Sequence, residues 1–194
     1  MLNKWHLVTS LFILFFTASH TVLAEEDRSI AAEPAAVKPA YLKPAIGSAS
    51  ERQALLQLCA QFQQAIREKD GKLLASLLLN DQIVFSSPAS PELSRDIQAK
   101  TNPHFNGLTH NGALEFIRFI TNSKVSVDEK FYDIHINQDK HLAWINFDFE
   151  FIENGKVVNY GQEHWQVLKT SSGQWKIFSV VWSSYGAAPT QTQP

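Results

Sequence analysis

His141-Leu142-Ala143-Trp144-Ile145-Asn146-Phe147-Asp148-Phe149-Glu150-Phe151-Ile152 is the stretch that decides the fold. Ala143, Ile145, Phe147, Phe149 and Phe151 occupy every second position, and Trp144, Asn146, Asp148 and Glu150 fill the places between. A period of two is the signature of a pleated strand with one face in a core. The same period extends to both sides, over 125–136 before this stretch and over 157–169 and 174–184 after it. Asn137 to Lys140 makes the first turn and Ser171-Ser172-Gly173 the last. Between them Asn154-Gly155 predicts a two-residue hairpin, because both residues tolerate the positive φ that such a turn needs. Four long strands joined by short turns form an antiparallel meander.

Upstream the period lengthens. Ser50 and Gln53 have the spacing of a capping box, and Leu55, Leu58, Cys59, Phe62 and Ile66 follow at helical intervals. Lys69-Asp70-Gly71 breaks this helix, and Leu73, Leu74, Leu77 and Leu78 belong to a second, ending around Asn80-Asp81. Gln82 to Ser86 is a short strand. Ser87 to Gly107 is polar, holds Pro88, Pro91 and Pro103, and predicts an irregular connection with room for one helical turn. A third helix starts at Asn111 or Gly112 and carries Leu114, Ile117, Phe119 and Ile120. The fold class is therefore α+β, with three N-terminal helices packed on one face of a curved antiparallel sheet of four long strands plus a short one. The last strand is apolar on both faces, with Trp175, Ile177 and Val181 against Phe178, Val180 and Trp182. Such a strand calls for a cover on both sides, and a second copy of the chain, a homodimer, is the natural outer cover. Trp144, Phe178, Val180 and Trp182 are the dimer-face candidates.

Composition narrows the class further. The chain has 194 residues and a formal net charge of -2, with 44% hydrophobic residues. That balance lacks the clustered basic excess of a nucleic-acid binder and is too apolar for wholesale disorder. A single cysteine, Cys59, excludes an internal disulfide, and its place on the apolar face of the first helix predicts burial. Lys4, the apolar run Leu7 to Phe16, Val22-Leu23-Ala24 and the acidic Glu25-Glu26-Asp27 read as a signal peptide over 1–24, cleaved after Ala24. The expected location is periplasmic or secreted, with no membrane span after cleavage. Residues 25–49, rich in Ala and Pro, read as a flexible linker, 50–186 as the folded domain, and 187–194 as a disordered tail.

In this order Ala65-Ile66-Arg67-Glu68-Lys69-Asp70, the passage Leu77 to Phe85, Gly112-Ala113-Leu114-Glu115-Phe116-Ile117, Gly161 to Lys169, Gly173 to Ile177 and Trp182-Ser183 resemble a known family. The pattern is similar to the cone-shaped domain shared by nuclear transport factor 2, ketosteroid isomerase, scytalone dehydratase and polyketide-cyclase-like proteins. The resemblance implies that fold over about 50–185, and a fold that hosts isomerases, dehydratases, cyclases, ligand carriers and dimerisation modules implies no single activity. Isomerase-like members use a carboxylate base at the end of the first short strand, a Tyr from the first helix and a neutral carboxylic acid on the third long strand. The matching positions here are Ser86 or Ser87, Phe62 and Glu163. Only the third keeps its group.

The ligand-pocket candidates are therefore Glu163, Trp165, Phe62, Ser86 and Phe147. Alternation puts Glu163 on one face with Gly161, Trp165 and Val167, while His164 turns away. Burial among these rings would raise the Glu163 carboxyl and leave it the cone's one ionisable group, with the 87–107 loop near the mouth. His104, His110, His135, His141 and His164 match no compact ligand spacing, so no metal and no cofactor is expected. Three readings follow: a small apolar molecule or a protein partner bound without catalytic machinery; an isomerase, lyase or cyclase using Glu163 as acid/base with Tyr132 or Tyr160 as helper; or a dimerisation module whose cone is filled by its own Phe and Trp side chains.

Overall fold

A capped helix opens the folded unit. In the computed structural model, which describes residues 47–189 together with Val37, Pro39 and Tyr41, helix α1 spans Ala49–Glu68. The signal-peptide segment 1–24, most of the linker, and residues 190–194 of the tail lie outside the described residues. All the named elements fall in the unit Leu42–Pro194, one of two into which the chain divides.

The capping box sits two residues earlier than the sequence spacing suggested. Ser48, not Ser50, is the N-cap; its hydroxyl accepts from the Glu51 N–H, and the Glu51 carboxylate accepts from the Ser48 N–H at 2.8 Å. Two Ser-x-x-Glu/Gln registers compete here. Glu51 wins a further partner, because Lys169 donates to it at 2.9 Å, and those bonds hold its carboxyl down to about 2. Lys69, left-handed at φ 54, closes the helix, and Asp70 caps α2 (Gly71–Leu77) through the Lys72 and Leu73 N–H groups.

Strand β1 (Val84–Pro88) leads into α3 (Pro91–Lys100), β2 (Leu108–Gly112) and α4 (Ala113–Asn122). The meander follows as β3 (Val127–Gln138), β4 (Leu142–Glu153), β5 (Lys156–Lys169) and β6 (Trp175–Trp182). The α+β class holds, with two additions. The stretch 87–107 is not an irregular connection: Ser90 caps Leu93 N–H, Pro91 takes the first helical position, and a ten-residue helix results. The polar segment after it pairs with β1 as an edge strand. The sheet order is β2-β1-β6-β5-β4-β3, antiparallel throughout except that β1 runs parallel to β6. Asn154 and Gly155, at φ 48 and 75, form the hairpin expected between β4 and β5.

Helices α1, α2 and α4 cover one face. Leu55, Cys59, Phe62 and Ile66 of α1 are buried against Ile145, Phe147, Trp165 and Val167 of the sheet. Burying a side chain of this size stabilises by about 1.5–3 kcal/mol, so these rows carry the fold. Cys59 is buried as its helix position required, and desolvation pushes its thiol up to about 12.

Three bulges bend the sheet. One residue more on β3 than on β4 lies between Tyr132 and His135, where Asp133 is left-handed at φ 50. Val158 is the extra residue opposite Phe151 and Ile152, and Phe178 is extra opposite Gln166 and Val167. Each extra residue kinks its strand and raises its twist. The bulge at Phe178 also resets the alternation of β6. Trp175 and Ile177 face the core before it, Val180 faces the core after it, and Val181 turns outward. This corrects the outer-face assignment. Val180 is buried and Trp182 joins the core side, whereas Trp144, Phe178 and Val181 are among the exposed apolar residues of the outer face.

Candidate functional site

Sheet curvature leaves a cavity of about 390 Å³ between α1, α4 and the ends of the strands. The cone is therefore not filled by its own side chains. Phe62 reaches it from α1, because the helix presents that face to the sheet. Phe85 reaches it from β1, Phe116 and Phe119 from α4, and Val180 and Trp182 from β6 beyond the bulge. The rings form one connected wall: Phe85 lies 5.0 Å from Phe116 and 6.4 Å from Trp182, centre to centre.

Two carboxyls stand in that wall. Glu163 on β5 is 4% exposed, and its Oε1 accepts a 2.5 Å hydrogen bond from Trp165 Nε1–H. Burial pushes the Glu163 carboxyl up to about 8, and the indole donor partly opposes the rise. Glu129 on β3 is 5% exposed, and its Oε2 is buried without a hydrogen-bond partner. Desolvation holds it well above the usual carboxylate range, and the charges of Glu163 and then Asp128 push the same way. The expectation of a lone ionisable group is thus corrected, since Glu129 and, nearer the rim, Glu115 and Glu153 also line the cavity. No Lys, Arg or His does so among the described residues.

The other pocket candidates divide. Phe62 and Glu163 line the cavity as expected. Phe147 and Trp165 lie beneath it as buried core, edge to face at 5.1 Å, and Trp165 acts on the site through its bond to Glu163. Ser86 points away: alternation turns Phe85 and Ser87 inward, and the Ser86 hydroxyl donates to the Thr109 carbonyl across the β1–β2 pair. The 87–107 stretch supplies no lining residue; Asn111 of β2 does. Neither Tyr132 nor Tyr160 reaches the cavity, and Tyr132 instead donates to Glu150 at 2.8 Å. Glu129 was overlooked although its signal is in the sequence: Val127, Glu129 and Phe131 alternate on one face, a carboxyl between two apolar residues.

A curved sheet wrapped on a long N-terminal helix, with a cavity at the open end, has counterparts of known structure. The fold is that of the NTF2-like proteins. An NTF2-like protein from Cytophaga hutchinsonii ATCC 33406 superposes with a TM-score of 0.52 at 15% identity, covering 69% of this chain and 98% of that one. A protein of unknown function with a cystatin-like fold from Nostoc punctiforme PCC 73102 gives 0.51 at 12% identity, over 76% and 98%. A provisionally assigned scytalone dehydratase from Novosphingobium aromaticivorans DSM 12444 gives 0.51 at 15% identity, over 75% and 96%. No family model and no curated protein matches the chain in sequence. At these identities the likeness establishes the NTF2-like fold, and chemistry has to be argued from the cavity itself.

Among the described residues no three His, Cys, Asp or Glu side chains gather in a metal-holding group. What the NTF2-like cone here can do is enclose a small, largely apolar molecule and meet one polar group of it with a carboxyl. A neutral carboxyl donates one hydrogen bond and accepts another, whereas an ionised one only accepts.

Proposed function

We propose that this chain is an exported NTF2-like domain that binds a small, predominantly apolar molecule in its cone. The observation that carries the reading is the open, ring-walled cavity with the buried carboxyls Glu129 and Glu163 facing it. A desolvated acid with an unpartnered oxygen is costly in an empty site, and a ligand supplying a partner recovers that cost. The chain acts as a homodimer in this reading. Its support is the outer sheet face, where Trp144, Phe178 and Val181 are 49%, 45% and 40% exposed.

A neutral fluorescent probe, N-phenyl-1-naphthylamine, tests the site. Saturable one-to-one binding is expected, retained in Glu163→Gln, which keeps shape and a donor, and weakened roughly tenfold in Glu163→Leu. Non-saturating fluorescence, or binding indifferent to Glu163→Leu, would contradict the assignment.

The second reading is acid/base catalysis by an isomerase, lyase or cyclase. Its support is Glu129, a second carboxyl beside Glu163 that compensates for the missing base at Ser86. Two carboxyls with raised affinity for protons permit one to donate while the other accepts near neutral pH. Turnover lost in both Gln variants, with probe binding kept, would favour it over simple carriage.

A further inference from the structure

The cavity has an electrostatic character that its apolar volume does not require. Every ionisable side chain lining it is a glutamate: Glu129 and Glu163 deep inside, Glu115 and Glu153 nearer the rim. Among the described residues the nearest cation to any of them is Arg118, which reaches Glu115 at 3.9 Å from the exposed side of α4 and does not line the cavity. Glu129 lines this space, and its Oε2 is buried and unpaired. The remaining wall is aromatic, and ring faces carry the negative side of a quadrupole. An anionic ligand finds no cationic partner among the described lining residues.

We propose that the ligand of this cone is an amine, a protonated nitrogen on an apolar body, with the nitrogen between Glu129 and Glu163 and the body against Phe62, Phe85, Phe116 and Trp182. This assignment rests on the cone being a ligand site and adds the chemical class of the ligand. An ammonium group brings several N–H donors, and the unpartnered Glu129 oxygen and the free side of Glu163 are acceptors without donors of their own. A neutral hydroxyl could satisfy one of them but gains no charge attraction from the four carboxyls.

The groups that face the pair set the pH dependence. Cys59 of α1 stays a neutral thiol, Asp128 adjoins Glu129 on β3, Glu153 faces in from β4 and Glu115 from α4. On α1 the neutral Gln63 amide donates to the Glu129 backbone carbonyl at 3.0 Å. With no basic side chain among the described lining residues, both deep carboxyls hold their protons past the usual carboxylate range in the empty cavity. A cation entering displaces a proton, so affinity for an amine rises with pH until the pair is ionised.

The test compares 4-phenylbutylamine with the neutral 4-phenylbutan-1-ol by calorimetric titration of the full protein. The amine should bind at least about tenfold more tightly near pH 8.5, releasing a proton on binding at neutral pH, and the ratio should shrink toward unity near about pH 5. Glu129→Gln should reduce that ratio severalfold with the cooperative thermal transition kept, which a merely unfolded variant would not do. Alcohol binding equal to or tighter than amine binding at every pH would overturn the amine assignment while keeping the cone as a ligand site. Failure of both probes to bind would overturn the ligand site and the amine assignment with it.

Discussion

Glu163 and Glu129 are the residues on which stability and the proposed function meet. In the unfolded chain a glutamate ionises near its ordinary value of about 4.3. In the folded chain Glu163 holds its proton up to about 8. The folded state therefore binds more protons than the unfolded state between those limits, and stability falls as pH rises through that window. Each such carboxyl contributes a slope of up to about 1.4 kcal/mol per pH unit. Urea denaturation between about pH 5 and about pH 8.5 should show the wild type losing stability, while Glu163→Gln flattens the loss and is the more stable protein at the alkaline end, by about 1–3 kcal/mol. A wild type equally stable across this range would mean that the carboxyl is not desolvated. Glu163 was legible in the sequence, because alternation with Trp165 and Val167 placed it on the core face. Glu129 obeys the same rule, but the row Val127, Glu129, Phe131 holds only one apolar residue on each side of the acid, a much weaker alternation than that of 141–152. Ser86 failed for the converse reason: position in a family pattern does not fix which way a strand residue points, and Phe85 took the inward place.

Elements with strong local signals emerged where the sequence put them, and elements set by tertiary context did not. The meander strands, the Asn154-Gly155 turn and the break at Lys69-Asp70-Gly71 each follow from local chemistry. Strand β2 is short, polar and aperiodic, and only its pairing with β1 makes it a strand. The bulge at Phe178 left no turn residue to mark it, yet it decided which side Val180, Val181 and Trp182 face. The start of α1 shows how narrowly competing local signals are separated. Ser48 with Glu51 and Ser50 with Gln53 have the same spacing, and the first register prevails because Glu51 also meets Lys169 from β5. Ser48→Ala should cost about 1 kcal/mol in thermal or urea denaturation, and Ser50→Ala, which loses only a hydroxyl contact to Ser48, well under half of that. Equal costs would mean that the helix start is shared between registers. Gly161 marks another place where neighbours rule. A Cβ there would lie 2.2 Å from the Ser183 carbonyl oxygen, so the chain leaving β6 can cross β5 closely only at glycine.

At the scale of the molecule, one sheet serves two surfaces. Its inner face, curved by bulges, closes on α1 and α4 around the cavity; its outer face exposes Trp144, Phe178 and Val181. The proposed dimer uses that outer face. A Trp144→Glu or Phe178→Glu change should yield monomers by light scattering, because a charge buried in an apolar interface costs several kcal/mol. Dimers of unchanged mass in both variants would move the interface elsewhere, and Trp182 is no test of it because it belongs to the cavity. The inner face, in the proposed reading, is an accessible cone floored by two carboxyls with raised affinity for protons. Carbon-13 NMR of the glutamate side-chain carboxyls, titrated with and without 4-phenylbutylamine, tests it most directly. Two carboxyls, assigned through Glu129→Gln and Glu163→Gln, should titrate well above the ordinary range, Glu163 near about 8, and the added amine should lower both. Ionisation of both by about pH 5, unaffected by the amine, would contradict the account.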